Sequence, residues 1–257
     1  MSETRKPVVG AAPAGASDPR TASLAVREMF TAIAPRYDLL NHLLSFNVDR
    51  LWWRRTARTF DHILSRPRAR VLDLCCGTGD MSFALLRQAG NTDPQILGAD
   101  FSRAMLQRAV SKSSRANPQG PPRWIEADAL NLPFPDSHFD LVTSAFGFRN
   151  LADYDAGLRE IARVLRPGGE CGILDFSEPD GMVGRFYRLY FRQILPRIGT
   201  LVSGTRGPYA YLPASVQRFP APEEMLVRMR GVGFVVASWA PYTFGIAGLY
   251  RGRRLKQ

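Results

Sequence analysis

Carboxylates at the ends of short apolar runs, together with one glycine turn, are the groups whose spacing in this chain suggests chemistry. The turn is Gly77-Thr78-Gly79, entered from Val71, Leu72 and Leu74 and left through Met81–Leu86. A strand feeding a glycine turn and then a helix N-terminus lets backbone N–H groups approach a ligand that a Cβ would hold off. Two ligand classes fit. A dinucleotide fingerprint requires a third glycine three residues after Gly79, where Ser82 stands. It also keeps the helix N-terminus clear for an anionic pyrophosphate, and here Asp80 sits at that end and repels one. An acid beside the turn suits a cationic ligand, so S-adenosylmethionine, with its sulfonium and ammonium groups, is the favoured expectation. Asp100 closes the run Gln95–Asp100, about twenty residues past the glycines, where a βαβ unit sets an acid against ribose hydroxyls. Asp128 closes Trp124–Asp128, in position for an adenine amino group. The plainer reading of both acids is a turn residue at a strand end.

The elements that must position these groups follow from the apolar pattern. Strands are expected at 70–74, 95–100, 124–128, 141–144 and 170–176, with helices between them at 81–86, 103–111 and 154–165. Ser102 and Asp153 have the side chains of N-caps. Such alternation predicts an α/β fold, a parallel sheet covered on both faces. Helical patterns at 23–33, 38–44 and 49–64 form a cap over residues 23–66, ahead of the first strand. Pro222–Gly231 reads as a helix with proline in its first turn. Runs 234–240 and 242–250 close the chain as two strands, before a frayed basic tail from Arg251. Residues 1–22, rich in Ala, Pro, Gly and Ser, read as a disordered tail, and 23–257 as a single domain.

The ordered motifs Asp73–Gly79, Asp100, Asp128-Ala129 and Asn131–Asp136 resemble those of class I S-adenosylmethionine-dependent methyltransferases. Phe139–Asn150, Val164–Gly169 and Asp175–Pro179 are similar to the quinone-biosynthesis C-methyltransferases, the demethylmenaquinone and 2-polyprenyl-6-methoxy-benzoquinol enzymes. Phe30–Asn41, Arg50–Trp52, Leu195–Gly199, Tyr209–Pro213 and Arg218–Pro220 extend the likeness from Val26 to Arg251. It implies a Rossmann-like, seven-stranded, mostly parallel sheet with an N-terminal helical lid. It also implies S-adenosylmethionine bound by Asp73, Gly77, Thr78, Gly79, Asp100, Phe101, Asp128 and Ala129. The chain departs from the family pattern at Cys75 (often glycine), Ala145 (often serine), Asp128 (asparagine in the ubiquinone branch) and Asp175 (usually glutamate). These departures lean towards demethylmenaquinol over the ubiquinone-pathway benzoquinol as substrate.

Methylating a quinol ring carbon requires the reduced, electron-rich ring, and the enzyme mainly aligns two reactants and excludes water. Arg149 and Asn150 follow the fourth strand, at the carboxyl edge where open sheets bind ligands. They are the first candidates to contact the quinol oxygens, and a strand-end salt bridge is the competing reading of Arg149. Tyr37 and Asp38 are candidates in the lid, with Asp38 the better proton acceptor. Tyr209 and Tyr211 could line a prenyl entrance. No metal is expected, because His42, His62 and His138 show no ligand spacing and neither do Cys75, Cys76 and Cys171.

The formal net charge is +11. Between Met182 and Pro222 lie six arginines and no acid. On a helix over 185–195, Arg185, Arg188 and Arg192 form one stripe beside Phe186, Tyr187, Tyr190 and Phe191. This inserted basic region, 180–220, could lie in a membrane interface or simply pack on its own domain. A bilayer-dissolved substrate favours the first reading: a cytoplasmic chain with peripheral contact to the inner membrane face. No nucleic-acid-binding module is recognisable, so an RNA methyltransferase of the same fold is the weaker alternative. A non-catalytic lipid- or partner-binding protein is weaker still, and a homodimer is left open.

Overall fold

The helix-to-strand switches in the apolar pattern become a three-layer molecule in the computed structural model, which describes residues 10, 11, 13, 16, 18–38, 45, 47–113, 122–179, 181, 184, 185 and 207–255. Helix α1 (Pro19–Ile33) begins ahead of the expected Ser23. Asp18 accepts the Thr21 N–H at 2.9 Å while Thr21 reciprocates as a capping box, and Pro19 fills the first turn, where no N–H is needed. Part of the expected tail is therefore helix. Further back, Ala11 is buried and donates its N–H to the Leu151 carbonyl at 2.7 Å. A 3-10 turn, Ala34–Arg36, leads out of α1. Then come α2 (Val48–Thr59), α3 (Asp61–Leu64), β1 (Arg70–Leu74) and α4 (Asp80–Ala89).

The alternation continues through β2 (Gln95–Asp100), α5 (Arg103–Ser113), β3 (Arg123–Glu126) and β4 (Phe139–Ala145). It ends in α6 (Tyr154–Val164), β5 (Leu165–Phe176), α7 (Gly207–Arg218), α8 (Pro222–Gly231), β6 (Phe234–Tyr242) and β7 (Ala247–Arg254). The strands form one seven-stranded sheet in the order β3-β2-β1-β4-β5-β7-β6. Pairings among β1 to β5 are parallel, and β7 runs antiparallel to both β5 and β6. The seven-stranded, mostly parallel α/β expectation is met.

Side chains alternate between the sheet's two faces, so consecutive residues enter different cores. Leu72, Val142 and Ile173 join α6 and α8 in one apolar cluster. Val71, Leu141 and Leu174 pack with Trp52, Trp53 and Phe60 beneath α2, α3 and α4 in the other.

The C-terminal reading needs two corrections. The last strand starts at Ala247 rather than Tyr242, after a 3-10 turn at Thr243–Gly245, and Arg251–Arg254 belong to it rather than to a frayed tail. Glu170 on β5 explains the second difference. It sits opposite Arg253, is buried, and receives Arg251 at 3.1 Å, Arg253 at 2.8 Å and His62 at 3.1 Å. That cluster holds the carboxyl below its ordinary range, burial being outweighed by the hydrogen bonds it accepts.

Candidate active site

The carboxyl ends of β1, β2 and β4 open into a cleft, where open α/β sheets bind small molecules. β1 leaves the sheet through a sequence of left-handed residues: Cys75 at φ 54°, Gly77 at 56° and Gly79 at 87°. Gly79 is required twice over, because a Cβ there would meet the Trp124 ring at 2.4 Å. Cys75 adopts a left-handed conformation that favours glycine. Both Cys75 and Cys76 line the cleft, and burial pushes their thiols well up, so they are held as neutral packing groups.

Asp73 is fully buried on the face beneath α4. It accepts the Ser82 hydroxyl at 2.6 Å and the Thr143 hydroxyl at 3.0 Å. Ser82, which replaces the third glycine of a dinucleotide turn, thus holds an acid instead. Burial pushes the Asp73 carboxyl up to about 7, with those hydroxyls pulling the other way. Asp100 accepts the Gly77 N–H and the Ser102 N–H, each at 2.8 Å, so it fixes the glycine turn as well as facing the cleft. Its carboxyl is pushed up to about 6, again by burial against backbone hydrogen bonds. Asp128, exposed, folds back on the Leu130 N–H at 2.9 Å.

Asp38 takes a different place from the one expected of a proton acceptor. It accepts the Thr78 hydroxyl at 2.5 Å and the Lys112 ammonium at 3.1 Å, and it is not among the cleft-lining residues. Lys112 also reaches Thr78 at 2.9 Å and Asp80 at 2.8 Å. Sequence reading missed this lysine, which is distant along the chain from each partner. Tyr37, beside Asp38, does line the cleft and packs edge-on against Phe30 at 6.0 Å.

After β4, Phe146 turns through φ 59° and Gly147 lies so close to Cys75 that a Cβ would meet its Cβ at 2.3 Å. Arg149 does not point into the cleft. Its Nη1 donates to Asp175 at 2.9 Å and to the Phe146 carbonyl, and its backbone N–H donates to Asp175 at 3.0 Å. The salt-bridge reading describes it, and Asp175, fully buried, is the partner that sequence could not supply. Asn150 lines the cleft and accepts the Tyr211 hydroxyl at 3.1 Å. The Tyr209 side chain, His42 and the 185–195 helix beyond Arg185 lie outside the described residues.

Of the expected cofactor residues, Asp73, Gly77, Thr78, Asp100, Phe101, Asp128 and Ala129 all line this one cleft, and Gly79 shapes the turn behind it. Among the described residues the lining carries four carboxylates (Asp73, Asp80, Asp100, Asp128) and no Lys, Arg or His. Among the described residues no group of His, Cys, Asp and Glu has the arrangement of a metal site. This strand order, glycine turn and carboxyl-edge cleft define a Rossmann-like methyltransferase fold.

The comparisons with known proteins narrow the class. The [4+2]-cyclase SpnF superposes with a TM-score of 0.68 at 17% identity, covering 98% of this chain and 100% of that one, so the fold by itself does not give the reaction. A demethylmenaquinone methyltransferase of Deinococcus radiodurans is 47% identical over 98% of this chain and 99% of its own length. A ubiquinone/menaquinone biosynthesis C-methyltransferase UbiE of Geobacter sulfurreducens is 44% identical over 89% of this chain and 88% of its own. The profile of the ubiE/COQ5 methyltransferase family matches residues 18–254, and the chain belongs to that family.

Proposed function

We propose that this chain transfers the methyl group of S-adenosylmethionine to a ring carbon of a polyprenylated quinol, demethylmenaquinol being its substrate. The observation that carries the donor is the charge of the cleft: among the described residues it is lined by four carboxylates, of which Asp80 is held by Lys112, in a chain of net charge +11. A cation gains there what a pyrophosphate would lose. The substrate reading rests on the relatives named for demethylmenaquinone, at nearly half identity over the full length.

Bound S-adenosylmethionine would supply an electrophilic methyl: the ring carbon forms its new bond as the S–CH3 bond breaks, the sulfur leaves as a neutral thioether, and the proton displaced from that carbon passes to water. The rest is the work of the chain. Asp100 would accept the ribose hydroxyls on lone pairs left over from the Gly77 and Ser102 N–H groups. Asp128 would accept a hydrogen bond from the adenine amino group, and Phe101 and Ala129 would hold the base. Asp73, when ionised, would supply buried negative charge to the sulfonium. Asn150, whose carbonyl already accepts Tyr211, offers its amide N–H₂ to a quinol oxygen, and Tyr37 closes the opposite wall. Arg149 serves as a positioning residue, tying the Phe146–Asn150 loop to Asp175. Asp38 holds the lid to the glycine turn.

The test is methyl transfer from labelled S-adenosylmethionine in detergent to three acceptors: reduced demethylmenaquinone, its oxidised quinone and a reduced demethylated benzoquinol. Label on the reduced naphthoquinol, and not on the oxidised quinone, is expected. Absence of label from every quinol with S-adenosylhomocysteine demonstrably bound removes the substrate and returns attention to RNA.

A further inference from the structure

The outer face of α2 presents only arginine and leucine. At about 100° per residue, Arg50, Leu51, Arg54, Arg55 and Arg58 share about 140° of the helix surface, and all are exposed. Trp52, Trp53, Thr56 and Ala57 fill the buried side. None of the four arginines has an ion-pair partner among the described residues. Arg50 and Arg54 help to pull the Arg87 guanidinium below its ordinary range, behind burial as the larger cause. Positive charge has accumulated here without neutralisation.

A large apolar side chain stands beside it. Phe244 is 82% exposed at the tip of the 3-10 turn between β6 and β7, held at φ 57° next to Thr243 at φ 45°. That turn is fastened to α2: Trp52 Nε1 donates to the Thr243 hydroxyl at 2.8 Å, and the Arg55 guanidinium lies 4.1 Å over the Tyr242 ring. Leu51, one helical turn before Arg55, is 55% exposed. The same helix borders the cleft, since Trp53 lines it and Trp52 packs on the lining residue Phe146 at 5.7 Å.

We infer that α2 and the Thr243–Gly245 turn form a docking surface for an anionic lipid bilayer, with Phe244 and Leu51 entering the interface and the arginines among headgroup phosphates. Charge complementarity favours this occupant, and the exposed aromatic distinguishes it from a bare polyanion site. The surface gives the proposed quinol methylation its route, because it brings the cleft mouth to the phase that dissolves a polyprenyl chain. In that sense it rests on the reading above, but its test does not need turnover.

The full-length chain is sedimented with phosphatidylcholine vesicles containing increasing phosphatidylglycerol. Binding is expected to rise with anionic content. Removing one arginine is expected to weaken partitioning about fivefold, and R50Q/R54Q/R58Q by about a hundredfold. F244S should weaken it at every lipid composition. R123Q/R159Q/R230Q, which removes the same charge from other exposed elements, should retain most of the binding. Methyl transfer in detergent should survive in all variants, showing that they fold. The inference is overturned if the wild type ignores anionic vesicles, if the control triple loses as much as the α2 triple, or if F244S binds like wild type. A phenylalanine that makes no difference, with transfer RNA displacing the vesicles, would mean a general polyanion surface instead. Vesicle binding without quinol methylation would sink the substrate and leave the surface standing.

Discussion

Two neighbours after β4 separate structure from chemistry. Arg149 is buried in a pair with Asp175, and removing one partner leaves the other charged in a dry site, at a cost of about 3–5 kcal/mol. Asn150 borders the cleft and shares one hydrogen bond with Tyr211. Arg149→Ala is therefore expected to lower the melting temperature sharply and lose activity with it. Asn150→Ala should keep the fold and lose kcat/KM; denaturation curves run beside turnover decide the matter. The buried acids make a second prediction. Asp73 and Asp100 titrate near 7 and 6 in the folded chain, against 3.8 as their ordinary value. Both folded values are raised, so the folded state binds more protons between the two limits. Their stabilising contribution is full below about 4 and is lost as pH rises through 6 and 7. The slope approaches roughly 1.4 kcal/mol per pH unit for each proton held only in the folded state. Urea denaturation of the ligand-free chain from pH 5 to 7.5 should show stability falling. Glu170, shifted the other way, acts only in more acid solution. With Asp100 in its proposed role, S-adenosylhomocysteine should flatten the decline, because ribose hydroxyls donating to that carboxylate would favour its ionised form.

Among the elements, Lys112 at the end of α5 joins three parts of the molecule: Asp38 beyond α1, Thr78 in the glycine turn and Asp80 at the start of α4. These groups are about a quarter exposed, so each ion pair contributes about 0.5–1 kcal/mol after solvent screening. Lys112→Met should speed hydrogen exchange in residues 19–38 and weaken cofactor binding several-fold, with Lys112→Arg recovering part of both. Exchange unchanged in that segment, with binding lost, would assign the lysine to the ligand rather than to the lid. No spacing in the chain announces this network, because its members come from three separate segments, around Asp38, Thr78–Asp80 and Lys112. The same applies to Arg149 and Asp175, which only the β4–β5 pairing brings together. What sequence could show was local: apolar runs for the strands, a glycine turn, and acids at strand ends that do line one cleft. The capping residues Asp18 and Thr21 were also present, but the surrounding Ala, Gly, Pro and Ser composition masked them. Arg251–Arg254 read as a tail because their countercharge, Glu170, lies far back on β5.

The whole molecule opposes its own site in sign. A net charge of +11 repels a cation at long range, while the cleft attracts one at contact. Salt distinguishes the two, since exposed charges are screened beyond a Debye length of about 8 Å at physiological ionic strength and buried pairs hardly at all. The arginines of α2 are exposed, whereas Asp73 and Asp100 are buried. Raising ionic strength should therefore cancel more repulsion than attraction. S-adenosylhomocysteine lacks the sulfonium charge but shares every other contact, which makes it the internal reference. The affinity ratio of S-adenosylmethionine to S-adenosylhomocysteine is expected to rise as salt goes from ~0.02 M to ~0.3 M, measured by titration calorimetry at pH 8, where both buried acids are mostly ionised. A ratio that falls would mean that the cleft carboxylates are solvated and screened like surface groups. The same salt should weaken attachment to anionic vesicles. Methylation of a bilayer-dissolved quinol would then peak at the ionic strength where donor binding has improved and the α2 arginines still hold the membrane.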